Sequence, residues 1–259
     1  MTEPWNLAAS TWDDVRSNRY EVAALPWGAT EAHNHHLPYA TDTIQSDAVA
    51  LEAARKAWDK GGRAIVLPAI PFGVQTGQLD IPFCINLNPS TQAIILADII
   101  RSVEPHGIRK LVILNGHGGN DFKQIIRELQ AETEILLSQV NWYLVADGRH
   151  VFDEPGDHAG ELETSVMLSI APALVRPLDT AGPGAARPFR IQAYQEKWAW
   201  TPREWTKVTD DTGVGDPKAA TAEKGRRFAE AVTDRLADFL VDLTRLSSSD
   251  HLYGPSVPA

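Results

Sequence analysis

The chain holds a single cysteine, Cys84, among its 259 residues. An intrachain disulfide is therefore excluded, and stability has to come from a non-covalent core. A free cysteine is usually a small buried hydrophobe, and Cys84 in LDIPFCINLN is expected to behave as one. Long apolar runs are missing too. No window approaches the roughly 18 uninterrupted apolar residues of a membrane helix, so no membrane partner is expected. The opening stretch MTEPWNLAASTWDD has neither a basic n-region nor an apolar h-region, which argues against a secretory signal and for a cytoplasmic protein. Positive charge is scarce: 24 Lys and Arg face 34 Asp and Glu, a formal net charge of −10. Binding to a nucleic acid needs a basic face, so that class of partner is excluded. There is no internal repeat and no low-complexity segment. What is present is a hydrophobic content of 43%, enough for a substantial core. The expectation is one globular domain over residues 1–259 with a loose tail, SSSDHLYGPSVPA, from about 247 to 259.

Short apolar runs alternate with segments of helical period. YEVAALPWG (20–28), RAIVLPAI (63–70), RKLVILNG (109–116) and QVNWYLVAD (139–147) read as strands. Between them, residues 44–60 carry Ile44, Ala48, Leu51, Ala54 and Trp58 at helical spacing and stop at Gly61-Gly62. A helix opens at Pro89-Ser90 and ends near Gly107, and others are predicted over 120–136 and 161–171. Residues 217–246 form a long amphipathic helix with Phe228, Val232, Leu236 and Leu240 on one face. Residues 71–89 read as a loop, and 172–216, rich in Pro, Gly and Trp, give no clear pattern. The alternation predicts an α/β protein, a three-layer α/β/α arrangement around a mainly parallel sheet. Such sheets bind ligands at the carboxyl ends of their strands.

Three polar clusters fall just after strands or at a helix start. They are EAHNHHLPYATD (31–42), NGHGGN (115–120) and DHAGELETS (157–165). Together they bring Glu31, His33, Asp42, His117, His158 and Glu163 to one edge of the fold. Imidazoles mixed with carboxylates suit zinc or manganese. In an extended Glu-x-His, both side chains share a face because the side-chain period is two. Asp42 has to return to them by a turn, for which Pro38 is placed. Blander readings stand beside this one. A lone histidine after a strand is usually a satisfied polar residue. NGHGGN could cradle a phosphate, although it lacks the Lys-Ser/Thr of a P-loop and the GxGxxG spacing. Glu161 and Glu163 could serve only as helix N-terminal carboxylates. Asn115 and Asn120 suit ordering of their turn. Among the tryptophans, Trp142 reads as core, whereas Trp198, Trp200 and Trp205 suit a lid or a subunit interface, the latter preferred.

LPWGATEAHNHHLPYATD resembles the creatininase family pattern L-P-x-G-x-x-E-x-H-G-x-H-L-P-x-x-T-D. NGHGGN and HAGELETS match that family's second and third signatures in the same order, so the resemblance spans roughly residues 10–171. It implies an α/β/α fold, a dinuclear amidohydrolase site and a homohexamer. Position by position, Glu31, His33, Asp42, His117 and Glu163 match its metal ligands, with Asp42 as the carboxylate that bridges two divalent ions (zinc, manganese or iron). His158 matches its proton donor. Asp157 stands next to His158 and could orient it, although adjacent side chains often point apart. Two departures stand out. The glycine that follows the ExH histidine is Asn34 here, and Gly119 stands where creatininases carry a glutamate in NGHYEN. Creatinine is therefore expected to be a poor substrate. His36 reads as flanking the ligands or facing substrate, and His35 as structural. The function implied is metal-dependent hydrolysis of a small amide-type C–N bond in a cyclic amide, formamide or short peptide. The alternative is a non-catalytic metal- or ligand-binding relative.

Overall fold

A computed structural model of the protein describes residues 3–247 and 252–254. Most of the predicted loose tail, 248–251 and 255–259, lies outside the described residues. Four parallel strands form the sheet: β1 (Val22–Trp27), β2 (Ala64–Val66), β3 (Lys110–Asn115) and β4 (Leu136–Asn141). Their order is β2-β1-β3-β4. The helices are α1 (Trp12–Arg16), α2 (Thr41–Asp59), α3 (Pro89–Val103), α4 (Lys123–Leu129), α5 (Glu161–Ile170), α6 (Gln192–Gln195), α7 (Trp205–Val208) and α8 (Ala222–Arg245).

The strands are apolar on both faces because both faces are covered. Val22 and Ala24 of β1 and Val112 and Leu114 of β3 point into one core with Val49 and Ala53 of α2 and Phe228, Val232 and Leu236 of α8. Ala23, Leu25 and Trp27, with Leu111 and Ile113, point into the other, with Leu96 of α3 and Ile125 of α4. Three layers result, as the alternation predicted.

Boundaries moved where tertiary packing overrode local pattern. Helix α2 starts at Thr41 rather than 44, and its buried face is Gln45, Ser46, Val49, Ala50, Ala53, Ala54 and Ala57, so that of the expected stripe Ala54 is buried while Ile44 and Leu51 are only partly so. Small side chains let α2 approach the sheet and α8 closely. Strand β4 begins three residues early, because pairing Lys110 with Leu136 carries Leu136 and Leu137 into the ladder. Trp142 and Tyr143 then leave the sheet in a 3-10 turn, and Trp142 packs against Phe228. Trp142 is core, as expected. The long C-terminal helix is shorter than predicted: Thr221 caps it by accepting from Lys224 N, and Pro217–Ala219 form a separate 3-10 turn. The segment 172–216, opaque in sequence, is a run of turns with only the short helices α6 and α7.

Candidate functional site

All three sequence clusters arrive at the carboxyl ends of the parallel strands. The loop after β1 carries Glu31 and His33, and the turn after β3 carries His117. Asp42 stands in the first turn of α2 and Glu163 in the first turn of α5, where the helix dipole favours a carboxylate. Asp42 is thus helical, not part of the loop that bears Glu31. The return is made by Thr41 N donating to the Pro38 carbonyl at 3.1 Å and Glu31 N donating to the Tyr39 carbonyl at 3.1 Å.

The side chains converge. Asp42 Oδ1 lies 2.9 Å from His33 Nε2, and Asp42 Oδ2 lies 3.0 Å from His117 Nδ1. Glu31 Oε1 is 2.7 Å from His117 Nδ1 and 3.9 Å from His158 Nδ1, while Glu163 Oε2 is 4.0 Å from His33 Nε2. Potential ligand atoms fall within 4.8 Å of one another in three sets: Glu31, Asp42 and His117; His33, Asp42 and Glu163; and Glu31, His33 and His158. Asp42 belongs to the first two and presents a different oxygen to each. Among the described residues, no Lys or Arg pairs with Glu31, Asp42 or Glu163. Carboxylates and imidazoles this deeply buried, with no Lys or Arg beside them, form a donor set suited to borderline divalent metals. The cluster fits such ions.

Backbone carbonyls fix which nitrogen of each ring faces the cluster. His117 Nε2 pairs with the Val74 carbonyl at 2.9 Å, His33 Nδ1 with that of Glu31 at 3.0 Å, and His158 Nε2 with that of Ala32 at 2.8 Å. With those nitrogens bonded outward, the opposite nitrogens face the cluster, the arrangement that orients metal-binding histidines. Glu31 is held by the side chain of Gln78.

Burial disfavours charge throughout the cluster, and the facing groups decide the outcome. For Asp42 burial acts upward, but His33 and His117 pull the carboxyl far below its usual range. Glu31 is likewise lowered, burial being outweighed by His117 and His158. Burial presses the His33 imidazolium toward neutrality, yet Asp42 and Glu163 hold it up at about 10. At Glu163 burial wins over His33 and His158, and its carboxyl is raised. Tyr143, pushed up to about 12 by burial and by the charges of Asp42 and Glu163, stays a phenol and a donor at neutral pH.

Glu31, Asp42, His117, His158 and Glu163 line a cavity of about 690 Å³ that also meets Gln75, Tyr143, Trp200 and Arg203. Several sequence expectations change here. Asp157 does not orient His158; its carboxylate turns to Arg203 Nη1 at 2.5 Å. His35 is exposed and packs in no core, so it is not structural in that sense. His36 is buried and pairs with Thr164 Oγ1 at 2.8 Å, beside the ligand candidates rather than among them. Trp205 is buried, stacks edge-on against the His158 ring at 5.2 Å, and lies beneath the Arg203 guanidinium. Trp198 and Trp200 are exposed, Trp200 at the cavity mouth. Cys84 is half-buried, accepting from Ala32 N and donating to Gln78 Oε1, both at 3.3 Å.

The two departures from the family pattern both have local causes. Asn34 has φ +54, a conformation that glycine adopts freely and asparagine tolerates better than most. At Gly119 a Cβ would lie 2.2 Å from the Val74 carbonyl oxygen and 2.4 Å from His117 Nε2, so no side chain fits. The surrounding turn is tied by its asparagines. Asn115 Oδ1 accepts from His117 N at 3.2 Å and from Asn120 Nδ2 at 2.9 Å, and Asn120 Oδ1 accepts from Val74 N at 3.0 Å. Val74, Gln75 and Gln78 were not legible as site residues, since they lie in a loop without periodicity. Only its two glutamines and its place after the second strand hinted at them.

Fold and site together describe a parallel α/β/α protein with a buried imidazole–carboxylate cluster at the strand ends. The family model described as creatinine amidohydrolase matches residues 8–240, and the chain belongs to that family, the creatininases. A mycofactocin precursor peptide peptidase from Mycobacterium tuberculosis is 32% identical over 88% of this chain and 87% of its own. A creatinine amidohydrolase from Pseudomonas putida is 29% identical over 84% of this chain and 87% of its own. A solved structure from Bacteroides fragilis, provisionally assigned as a creatinine amidohydrolase, superposes with a TM-score of 0.90 at 45% identity, covering 95% of this chain and 98% of that one. Among the described residues, no helix is long and apolar enough to cross a membrane.

Proposed function

We propose that the protein is a dinuclear metal-dependent hydrolase of a small amide-type C–N bond, with a cyclic amide, formamide or short peptide as substrate. The observation that carries this reading is the placing of Asp42, whose two oxygens face two different imidazoles and which is shared by two sets of ligand atoms. Glu31 and His117 would hold one ion and His33 and Glu163 the other, with Asp42 between them. Zinc, manganese and iron all suit these ligands. When bound, such a pair supplies a Lewis acid and a water acidified toward neutrality.

The protein's own groups account for the rest. His158 is anchored through Nε2 to the Ala32 carbonyl, so its Nδ1 faces the cluster, free to take a proton and pass it to the leaving nitrogen. Trp205 walls the far edge of that ring and keeps bulk water from it. Tyr143 offers a phenol in the same cavity. With no room for a side chain at Gly119, the glutamate of true creatininases cannot be present, and we expect creatinine to be a poor substrate. The peptide-cleaving relative makes short peptides a natural part of the substrate range. The exposed Trp198 and Trp200 suit burial between subunits of the homo-oligomer that the family resemblance implies, a hexamer.

The test is a hydrolysis panel of creatinine, cyclic ureides, formamides and short peptides. Metal-replete wild type and His158→Ala are compared, with metal content measured in both. About two ions per chain and turnover lost in the variant are expected. Two bound ions with no turnover of any C–N bond would favour the non-catalytic relative instead. Creatinine turned over far above every other compound would show that Gly119 does not decide the substrate.

A further inference from the structure

Four glutamines are buried among the described residues, Gln75 and Gln78 of them lining the cavity, and three of the four are paired through Nε2. Gln78 Nε2 donates to Glu31, Gln92 Nε2 donates to Asn120 Oδ1 at 2.8 Å, and Gln45 Nε2 donates to the Glu163 carbonyl at 2.8 Å. Gln75 differs. Its side chain is 4% exposed and lines the same cavity as Glu31, Asp42, His117 and His158. Among the described residues neither its Nε2 nor its Oε1 has a hydrogen-bond partner.

The backbone around it is pinned. Gln75 N donates to Asn86 Oδ1 at 2.7 Å, the Val74 carbonyl before it pairs with His117 Nε2, and Gln78 after it clamps Glu31. The loop that sets the orientation of two ligand candidates therefore also carries, at the cavity wall, an unpaired carboxamide whose two polar atoms are covered in this structure. A buried carboxamide with neither atom paired loses its hydration without return, which makes it a source of instability unless a ligand completes it.

We propose that Gln75 is a specificity-determining residue that reads the substrate's amide group. Its side chain turns into the cavity as substrate enters, so that Oε1 accepts from a substrate N–H while Nε2 donates to a neighbouring substrate carbonyl. The molecule already contains this recognition between its own parts. Asn34 Nδ2 donates to the Gly182 carbonyl at 3.1 Å while Asn34 Oδ1 accepts from Gly182 N at 2.9 Å. The substrate class that follows is an amide, ureide or peptide with a free N–H close to a C=O. An N-alkylated amide can satisfy only one half of Gln75. The assignment rests on the proposed hydrolase function in taking this cavity as the substrate site.

The experiment uses matched pairs: hydantoin and 1,3-dimethylhydantoin, formanilide and N-methylformanilide, a dipeptide and its N-methylated counterpart. Metal-replete wild type, Gln75→Met and Gln75→Ala are compared, with metal content as a control. Methionine matches glutamine in length and makes no strong hydrogen bond. Wild type is expected to favour the N–H member by roughly 10- to 100-fold in kcat/KM. Gln75→Met is expected to lose that preference by losing rate on the N–H member alone. Its melting temperature is expected to equal or exceed the wild type's, because an unpaired buried amide has been removed. An unchanged preference in both variants overturns the proposal. So does a clear fall in the melting temperature of Gln75→Met, which would make the carboxamide a structural bond. If wild type hydrolyses no compound, the hydrolase reading falls by itself. The same preference is then read from the rise in melting temperature that each compound produces, and that alone decides the role of Gln75.

Discussion

Asn34 and Gly182 hold each other by two hydrogen bonds, the asparagine carboxamide pairing with both backbone polar groups of the glycine. They stand 148 positions apart in the chain. The same Asn34 oxygen accepts from His35 N at 2.6 Å, and Asn34 N donates to Thr212 Oγ1 at 2.8 Å. One residue thus ties the loop bearing Glu31 and His33 to the run of turns that covers the cavity.

Asn34→Ala should therefore be costly. It removes three side-chain hydrogen bonds and leaves an alanine at φ +54. A loss of about 2–3 kcal/mol is expected, read from urea denaturation midpoints. Asn34→Gly keeps the backbone unstrained and should recover about 1 kcal/mol of that loss. An alanine variant as stable as wild type would remove the anchoring role.

At Gly119 a single added methyl should disturb the site. The obstacle is the Val74 carbonyl, part of the backbone and the partner of His117 Nε2. Gly119→Ala is expected to cost about 1–3 kcal/mol and to turn His117 out of line. Metal content and activity should both fall, about tenfold or more in affinity. Elemental analysis after dialysis checks this, and full metal retention would count against it.

Asp42 and His158 should separate in their effects. Asp42→Ala removes the carboxylate shared between two ligand sets, so both ions should be lost. His158→Ala should keep its metal and lose about 10²–10⁴ in kcat, the usual worth of a positioned acid or base. Equal metal content in the two variants would contradict the assigned roles.

His36 gives stability a pH dependence. Burial, reinforced by the neighbouring His33 and His35, holds its imidazole down at about 4 against an ordinary 6.5. Between those values the unfolded chain takes up a proton that the folded chain refuses, so stability falls as the solution is acidified. The contribution is fully present above pH 6.5 and is lost as pH drops toward 4, with about 2 kcal/mol gone by pH 5. Denaturation of wild type and His36→Gln at pH 7 and pH 5 measures it. The variant should show the shallower slope, and identical slopes would refute the assignment.

How much was legible in the sequence follows from the range of the forces involved. Strands β1 and β3 could be read because burial on both faces writes a continuous apolar run into the six residues of β1 and the central four of β3. The six residues of the cluster could be read because strand ends in a parallel sheet all lie at one edge, so three separate motifs had a shared destination. Register was a different matter. Strand β4 starts where it meets β3, and helix α2 buries its alanines more deeply than Ile44 and Leu51, since the fit against neighbouring elements decided both. The finer parts of the site were decided only by the tertiary structure. Which nitrogen of His33, His117 and His158 faces inward depends on carbonyls of Glu31, Val74 and Ala32. Whether Asp157 serves His158 or Arg203 depends on a segment 46 residues away. That Gln75 stands unpaired while Gln78 does not depends on what each meets across the cavity. A hydrogen bond acts over about 3 Å and has a direction, so no periodicity along the chain encodes it. Its partners are set only when distant segments are packed.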